Sequence, residues 1–567
     1  MASLAPGGVL GELAAVVLFC LAVMYLWFRH RYSYWSSRGV EGPKPVFPFG
    51  NIRDVLTRKT QFFQPYTDNY FRYKHLPYVG MYTFNRPVLS INDLDVAKLV
   101  LIKDFEYFQA HGIFSGGTGD PLAGHLFNMH GKEWKDLRAK MSPTFTSGKL
   151  KTLYPLVNNI ADDAVKYIDL LYSNGEPINF SELYAKYTME IIGSVGFGIE
   201  CNGFKNPNSE FYRRGHEYFE PKSMYWTFVR ALAFIAPDFY KKLGIKRISN
   251  EILNFFFDLV RQTVDYRQNN DYKRNDFMQT LIELKNGQVV DEKGKVNYVH
   301  GFPFSMTDVT ANAMLYMFAG YETSATTGNF AVYELALNPH IQQKARQEIN
   351  RVLAKYNGEY TFEAQNEMEY INMILDETMR KYPPMRALFR RCTREYKVPN
   401  TDLTIEKGTM VFLPVQAYQM DPEIFPEPEK FDPERFSKEN KAKLHPCQWM
   451  PFGEGPRMCL GLRQGYIQSK MALVKILPKY ELRINEKSPV PMKIKASSYA
   501  CAADGDVWIN LKEIRHQAEA ADFSCSKAIF VRVGPAVVEA DLAQRTRRVP
   551  LRPNARAPPK RGHGPNV

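Results

Sequence analysis

"FGEGPRMCLG" (Phe452–Gly461) sets one cysteine, Cys459, among glycines, a proline and an arginine. A thiol in such a loop ordinarily belongs to a zinc site, a disulfide or a nucleophilic centre, and each of these needs a protein partner. The nearest other cysteine is Cys447, and the chain contains no C-x-x-C. The seven cysteines (20, 201, 392, 447, 459, 501, 525) are scattered and odd in number. That is the usage of a reducing compartment, not of a disulfide scaffold.

The N-terminus bears on the compartment. "LGELAAVVLFCLAVMYLWF" (Leu10–Phe28) is apolar apart from Gly11 and Glu12, and "RHRY" follows it with no Lys or Arg before. At about 1.5 Å rise per residue it covers most of a bilayer core. The charge asymmetry puts the bulk of the chain in the cytosol. No basic n-region or small-residue cleavage site supports a cleaved signal peptide, so residues 1–30 read as a retained anchor. Cytosolic cysteines are reduced, which favours zinc or haem over a disulfide for Cys459.

Hydrophobic content of 45% and aromatic content of 14% suffice for a large core. From Asp541 onward seven Lys/Arg stand against one acid, so the tail carries +6 of the formal net charge of +13. The mildly basic body suits an acidic protein partner or an anionic membrane surface. No basic stripe with interleaved aromatics and no zinc-finger spacing points to nucleic acid.

"GVEGPKPVFPFGN" (39–51) cannot be helical and reads as a stiff hinge behind the anchor. No linker composition or repeat interrupts the chain from there to about Leu511. Residues 31–512 are therefore expected to form one large domain, mainly α with minor β, and 513–567 a basic, disordered tail. "GKEWKDLRAKM" (Gly131–Met141) has the spacing of a short amphipathic helix. Ser305–His340 reads as a helix capped by Thr307, stopped at Asn338-Pro339 and apolar nearly all round, hence a core helix. "NEMEYINMILDETMRKYPP" reads as another helix, ended by Pro383-Pro384. "GTMVFLPVQAY" (Gly408–Tyr418) is β-prone.

Three further patterns carry chemistry. "AGYETS" (Ala319–Ser324) places small residues and an acid–alcohol pair in the middle of the core helix. A buried acid there needs a partner or water, Thr323 can bond back to a helix carbonyl, and Gly320 lets a ligand approach the backbone. A kinked helix with a satisfied Glu322 is the bland alternative; beside a cofactor the pair becomes a proton relay. "ETMR" puts Glu377 and Arg380 on one helix face. "FDPERF" presents Arg435, and a buried Glu between two arginines would lock an irregular segment. "WKDLR" puts the N–H donors of Trp134 and Arg138 on one face, suited to an anionic group.

Together these patterns resemble the cytochrome P-450 superfamily, the haem-thiolate monooxygenases. Phe452, Gly455, Arg457, Cys459 and Gly461 match every specified position of its cysteine loop. The resemblance spans roughly Ser33 to Leu511. "MSPTFTSGKLK" (141–151), "RNDFMQTLIELKN" (274–286) and "NEMEYINMILDETMR" (366–380) look like the microsomal branch, nearer the insect xenobiotic-metabolising enzymes than the vertebrate drug-metabolising ones.

The resemblance implies haem b (iron protoporphyrin IX), with Cys459 as the axial thiolate and metal ligand. Phe452 and Gly461 would belong to the ligand loop, its backbone N–H groups tuning the sulfur. "GYIQSKMALVKIL" (465–477) would be a helix starting just past Cys459. Trp134, Arg138, Arg390 and Arg457 would hold the propionates. His111 stands where the family often has another arginine. Glu377, Arg380 and Arg435 would be a structural triad. Glu322 and Thr323, beside Ala319 and Gly320, would deliver protons during O₂ activation. Substrate contacts would come from 111–127, 211–239, 383–389 and 497–502. Electrons would come from NADPH through a membrane-bound FAD/FMN flavoprotein reductase, with cytochrome b5 as a further donor. The setting would be the endoplasmic reticulum membrane with a cytosolic catalytic domain. The implied activity is insertion of oxygen from O₂ into lipophilic xenobiotics, insecticides or plant toxins. Hydroxylation of a hormone or fatty acid is the alternative within this class. A haem-thiolate isomerase and a non-enzymatic haem-binding protein are alternatives of other classes, and the Glu322–Thr323 pair argues against both.

Overall fold

Ser305 starts the helix that organises the molecule. Its hydroxyl accepts from the backbone N–H of Asp308, and the Asp308 carboxylate accepts from the Ser305 N–H at 2.8 Å, a reciprocal capping box. The cap is thus Ser305 and not Thr307, because only Ser305 has extended backbone and an acid three residues on. The helix runs Met306–Leu337 and ends at Asn338, where Pro339 opens the next one.

The computed structural model of the 567-residue protein describes residues 6–112, 120–206, 209–219, 223–235, 237–246, 248–290, 296–298, 304–498 and 500–514. They fall in one compact unit, Met1–Ile514. The expected disordered tail lies outside the described residues from 515 onward, as do parts of the loops 111–127, 211–239 and 497–502.

From the N-terminus, the elements that frame the site are α1 (Pro6–Arg31), β1 (Tyr78–Thr83), β2 (Arg86–Ile91), α2 (Gly131–Met141), α3 (Ser147–Ser173), β3 (Ile178–Asn179), α4 (Phe180–Ile191), α5 (Met306–Leu337), α6 (Pro339–Lys355), α7 (Glu369–Lys381), β4 (Leu388–Arg391), β5 (Met410–Leu413), α8 (Leu462–Ile476), β6 (Tyr480–Ile484) and β7 (Trp508–Glu513). Helices dominate. One sheet has the order β1-β2-β5-β4, with β2 and β5 parallel in the register Val88↔Met410 and the other pairs antiparallel. A second, antiparallel sheet has the order β6-β7-β3.

α5 is buried over most of its length. α8 locks onto it: Ser324 Oγ donates to Gln468 Oε1 at 2.9 Å, and Gln464 Nε2 donates to the Tyr316 hydroxyl. The glutamines at i and i+4 of α8 look incidental in the sequence, yet they fix the helix behind the cysteine loop to the core helix.

Two sequence expectations change. The segment 366–381 is not one helix, because the chain turns at Met368 between a short helix, Phe362–Glu367, and α7. "GTMVFLPVQAY" is strand only to Leu413; Pro414 ends it, and Val415–Met420 is helical. Proline supplies no N–H to a ladder, and its fixed φ suits a helix start.

Among the described residues one helix, in the span Gly11–Arg38, is long and apolar enough to cross a membrane, with mean hydropathy 2.1. Its side chains are exposed except near the end, where Phe28 packs edge-on against Phe47 with centroids 5.1 Å apart. The non-helical segment 39–51 is stitched to the first sheet. Gly80 donates to the Glu41 carbonyl, and Asn51 donates to the Tyr82 carbonyl, both at 2.8 Å. Gly42 has no alternative, since a Cβ there would sit 1.9 Å from the Gly80 oxygen.

Candidate active site

The cysteine loop is a backbone construction. Gly453 and Gly455 both have φ of 72°, a left-handed conformation that glycine adopts without cost. A Cβ on Gly455 would lie 2.0 Å from the Leu101 carbonyl oxygen, so the position admits only hydrogen. The turn closes where Cys459 N–H donates to the Phe452 carbonyl at 2.8 Å. Phe452 packs its ring on Tyr466 of α8, with centroids 5.4 Å apart. Gly461 caps α8; burial raises the Cys459 thiol pKa, and the Gly461 backbone N–H facing the sulfur and the nearby Arg138 offset that only in part. Cys459 retains accessible surface although dense protein surrounds it. It is not among the residues that line the 910 Å³ cavity along α5.

Beside this loop lies a concentration of buried positive charge. Arg457 is anchored by backbone carbonyls, its Nε donating to Gln109 at 2.9 Å and its other nitrogens to Leu126 and Met129. Its guanidinium lies 4.2 Å from the Trp134 ring centre. Arg138, one helical turn beyond Trp134 on α2, donates to the Met458 carbonyl at 2.7 Å. Arg390 on β4 stands 3.4 Å from His111 Nδ1. His111 arrives there because Ala110 bridges to Arg391 at the edge of β4, and its ring stacks on Phe127 at 4.0 Å.

Among the described residues none of Arg138, Arg390 and Arg457 is paired with a carboxylate. Burial, then repulsion from Arg390 and Arg138, pushes Arg457 down to about 9, and burial pushes Arg390 down to about 10. Burial and the same arginines hold His111 well below its ordinary value, so the imidazole is neutral. Trp134 Nε1 and Arg390 Nε are buried without a hydrogen-bond partner. Orphaned donors and uncompensated cations are costly in an interior. A dianionic group beside the cysteine, such as the paired propionates of haem, would satisfy both, so the residues present fit haem.

The residues behind the loop pair their charges with one another, although Arg435 Nε is buried without a hydrogen-bond partner among the described residues. Glu377 and Arg380 on α7 are both fully buried and bidentate, at 2.6 and 2.9 Å. Arg435 Nε lies 3.5 Å from the same carboxylate, which also accepts the Asp432 N–H at 2.9 Å. Arg380 donates further to the carbonyls of Gln419 and Pro428.

On α5, Phe318 and Ala319 are exposed in the middle of an otherwise buried helix. Thr323 donates back to the Ala319 carbonyl at 2.6 Å. The space left by the missing Cβ of Gly320 is filled by Ile192, whose Cδ1 would be 2.6 Å from a Cβ there. Here the glycine serves helix packing, and α5 continues through it as an unbroken α-helix. Glu322 accepts from Ser498 Oγ at 2.9 Å. It lines the cavity of 910 Å³ along one face of α5, marked by Ala311, Met314, Phe318, Glu322, Ala325 and Asn329, whereas Thr323 does not. The facing walls include Phe62, Phe127, Tyr218, Phe219 and the loop around Ser497 and Ser498. The ring pair Phe219–Phe318 stacks at 6.0 Å.

The family model for cytochrome P450 matches residues 40–506. The chain belongs to the cytochrome P450 family. It is 37% identical over 511 residues to "Probable cytochrome P450 6a14" of Drosophila melanogaster, covering 88% of this chain and 99% of that one. It is 39% identical over 505 residues to "Cytochrome P450 6k1" of Blattella germanica, covering 87% and 96%. "Cytochrome P450 6a2" of Drosophila melanogaster is 36% identical over 506 residues. The relatives named are insect proteins, and the expected resemblance to the insect branch stands. Membership makes this cytochrome P450 a haem monooxygenase by class.

Proposed function

We propose that this cytochrome P450 is a membrane-anchored monooxygenase. It draws electrons from NADPH through a flavoprotein reductase, with cytochrome b5 as an accessory donor, and inserts one oxygen atom of O₂ into lipophilic xenobiotics such as insecticides or plant toxins. The observation that carries the reading is the accessible Cys459 beside two buried arginines, Arg390 and Arg457, and the half-buried Arg138, none paired with a carboxylate among the described residues.

Haem b fits these groups: Cys459 would ligate the iron, and Trp134, Arg138, Arg390 and Arg457 would hold the propionates. Neutral His111 would add an N–H and no charge. Gly461 and Phe452 support the sulfur, while Glu377, Arg380 and Arg435 hold the segment behind it. When bound, the haem supplies the iron centre at which O₂ is reduced and made reactive toward a C–H bond. The protein's own part is to seat an apolar substrate in the cavity, exclude bulk water with the aromatic walls, and move protons. Glu322 lines the cavity and could exchange protons with water admitted there. The Thr323 hydroxyl, released from the Ala319 carbonyl, would hand them on, with the exposed Ala319 leaving the helix surface low beside it; Gly320, packed against Ile192, serves the helix and not the relay.

The anchor 1–30 would place the catalytic domain, expected over 31–512, on the cytosolic face of the endoplasmic reticulum, with the segment 39–51 holding it to the membrane; the tail expected from 513 begins later, since Glu513 still pairs with Tyr480 in β7. The size and aromatic lining of the cavity favour bulky lipophilic ligands over a single small metabolite. The test is turnover of a panel of lipophilic compounds by the full-length protein in reductase-containing vesicles. Product carrying one atom of isotopically labelled O₂, dependent on NADPH and reductase, supports the reading. Product formed without reductase or O₂ would replace it by an isomerase, and turnover confined to a fatty acid or hormone would move it to an endogenous role.

A further inference from the structure

Glu322 does not stand alone on α5. Ser498 Oγ donates to its Oε1 at 2.9 Å from the C-terminal loop. That loop is fixed in turn: the Ser498 carbonyl accepts from Gln61 Nε2 at 3.0 Å. Gln61 is buried, and its own carbonyl oxygen is held by the Phe63 N–H at 2.8 Å and by Arg386 at 3.3 Å. Arg386 is also buried and donates to Gln64 at 2.6 Å. Three separate parts of the chain, 61–64, 386 and 498, thus converge to place one hydroxyl against one carboxylate at the cavity wall. Ser498 and Glu322 both line that cavity.

We propose that Ser498 is a positioning residue for proton delivery: its hydroxyl fixes the Glu322 carboxylate at the cavity wall, so that the substrate-lining C-terminal loop controls the acid on α5. This rests on the relay reading of Glu322 above. The geometry has a direct consequence. A carboxylate that accepts a hydroxyl hydrogen bond is stabilised in its charged form, and removing the donor raises its pKa. A hydrogen bond to a charged group of ordinary strength corresponds to a shift of about one unit. A ligand that pushes the 497–498 loop aside has the same effect as removing the hydroxyl. Occupancy of the cavity and readiness of the proton donor are then coupled through the Ser498 hydrogen bond.

The experiment uses the full-length haem-loaded protein with Ser498→Ala, Ser498→Thr, Glu322→Gln and the double variant S498A/E322Q. The Glu322 carboxyl is identified by infrared difference between wild type and Glu322→Gln, and its titration is followed with pH. Peroxide released per NADPH is measured alongside, with the reduced CO spectrum as the check that the haem site is intact. In Ser498→Ala the Glu322 band is expected to shift and titrate about one unit higher, and peroxide release to rise about threefold or more. Ser498→Thr, which keeps a hydroxyl, restores both. In the Glu322→Gln background Ser498→Ala adds nothing.

An unmoved Glu322 band in Ser498→Ala overturns the proposal, as does an equal Ser498→Ala effect with Gln at 322. If Glu322→Gln itself leaves peroxide release unchanged, the relay reading fails and takes the catalytic part of the proposal with it. That outcome is distinguishable, because the infrared shift persists.

Discussion

The two sides of the site are satisfied to different degrees. Behind the cysteine loop, Arg380 is fully buried and spends its donors on Glu377 and on the carbonyls of Gln419 and Pro428. In front of it, Arg390 is equally buried, yet its Nε has no partner, and Trp134 Nε1 is in the same condition. Both regions bury guanidinium groups, but only one neutralises them from within. The difference is one of charge, since Arg435 Nε behind the loop also lacks a hydrogen-bond partner among the described residues: the first group is neutralised by Glu377, and the second would be neutralised by an anionic ligand. Mutations should sort along this line.

The largest effect is expected behind the loop. Glu377→Ala leaves Arg380 buried without its carboxylate, a loss of about 3–5 kcal/mol, to be seen as a collapse of folded yield or of the denaturation midpoint whether or not haem is supplied. Gly455→Ala comes next. A Cβ in a left-handed turn 2.0 Å from the Leu101 oxygen must displace the loop. Strain of about 1–3 kcal/mol is expected, read as a lower Tm together with a disturbed thiolate spectrum. In front of the loop, Trp134→Phe keeps the ring and removes the orphaned N–H. It should leave the stability of the haem-free protein unchanged and speed haem loss about tenfold, the value of one charge-assisted hydrogen bond. Equal destabilisation with and without haem would erase the distinction between the two regions. Thr323→Ala should do least to the structure: haem and fold stay, and product per NADPH falls by about tenfold as peroxide rises. Unchanged coupling would remove Thr323 from the relay.

Sequence legibility follows the same division. Spacing within one helix is readable, so α2 and the stop of α5 at Asn338 follow from periodicity and breakers; α8 follows only from the family resemblance, over 465–477, and begins three residues earlier, at Leu462. The pairing of Glu377 with Arg380 is readable for the same reason. Contacts that join distant segments are not. Ser498 lies 176 residues from Glu322, and Gln468 lies 144 residues from Ser324. Neither residue type announces its partner. His111 shows a third limit. Its charge depends on Arg390 and Arg457, which reach it only through the fold, so an imidazole of ordinary pKa in the sequence is held neutral in the structure. Gly320 shows a fourth, since a helical glycine looks the same whether it admits a ligand or, as here, Ile192.

The central claim is that the lone thiol of "FGEGPRMCLG" finds its partner in haem iron. The most direct test is the visible spectrum of the reduced, CO-treated full-length protein, wild type against Cys459→His. The wild type should show the strongly red-shifted Soret band of thiolate-ligated haem, and Cys459→His should lose it while binding CO at the ordinary histidine position. A histidine-type band in folded wild-type protein, or a red-shifted band that survives the substitution, would contradict the assignment.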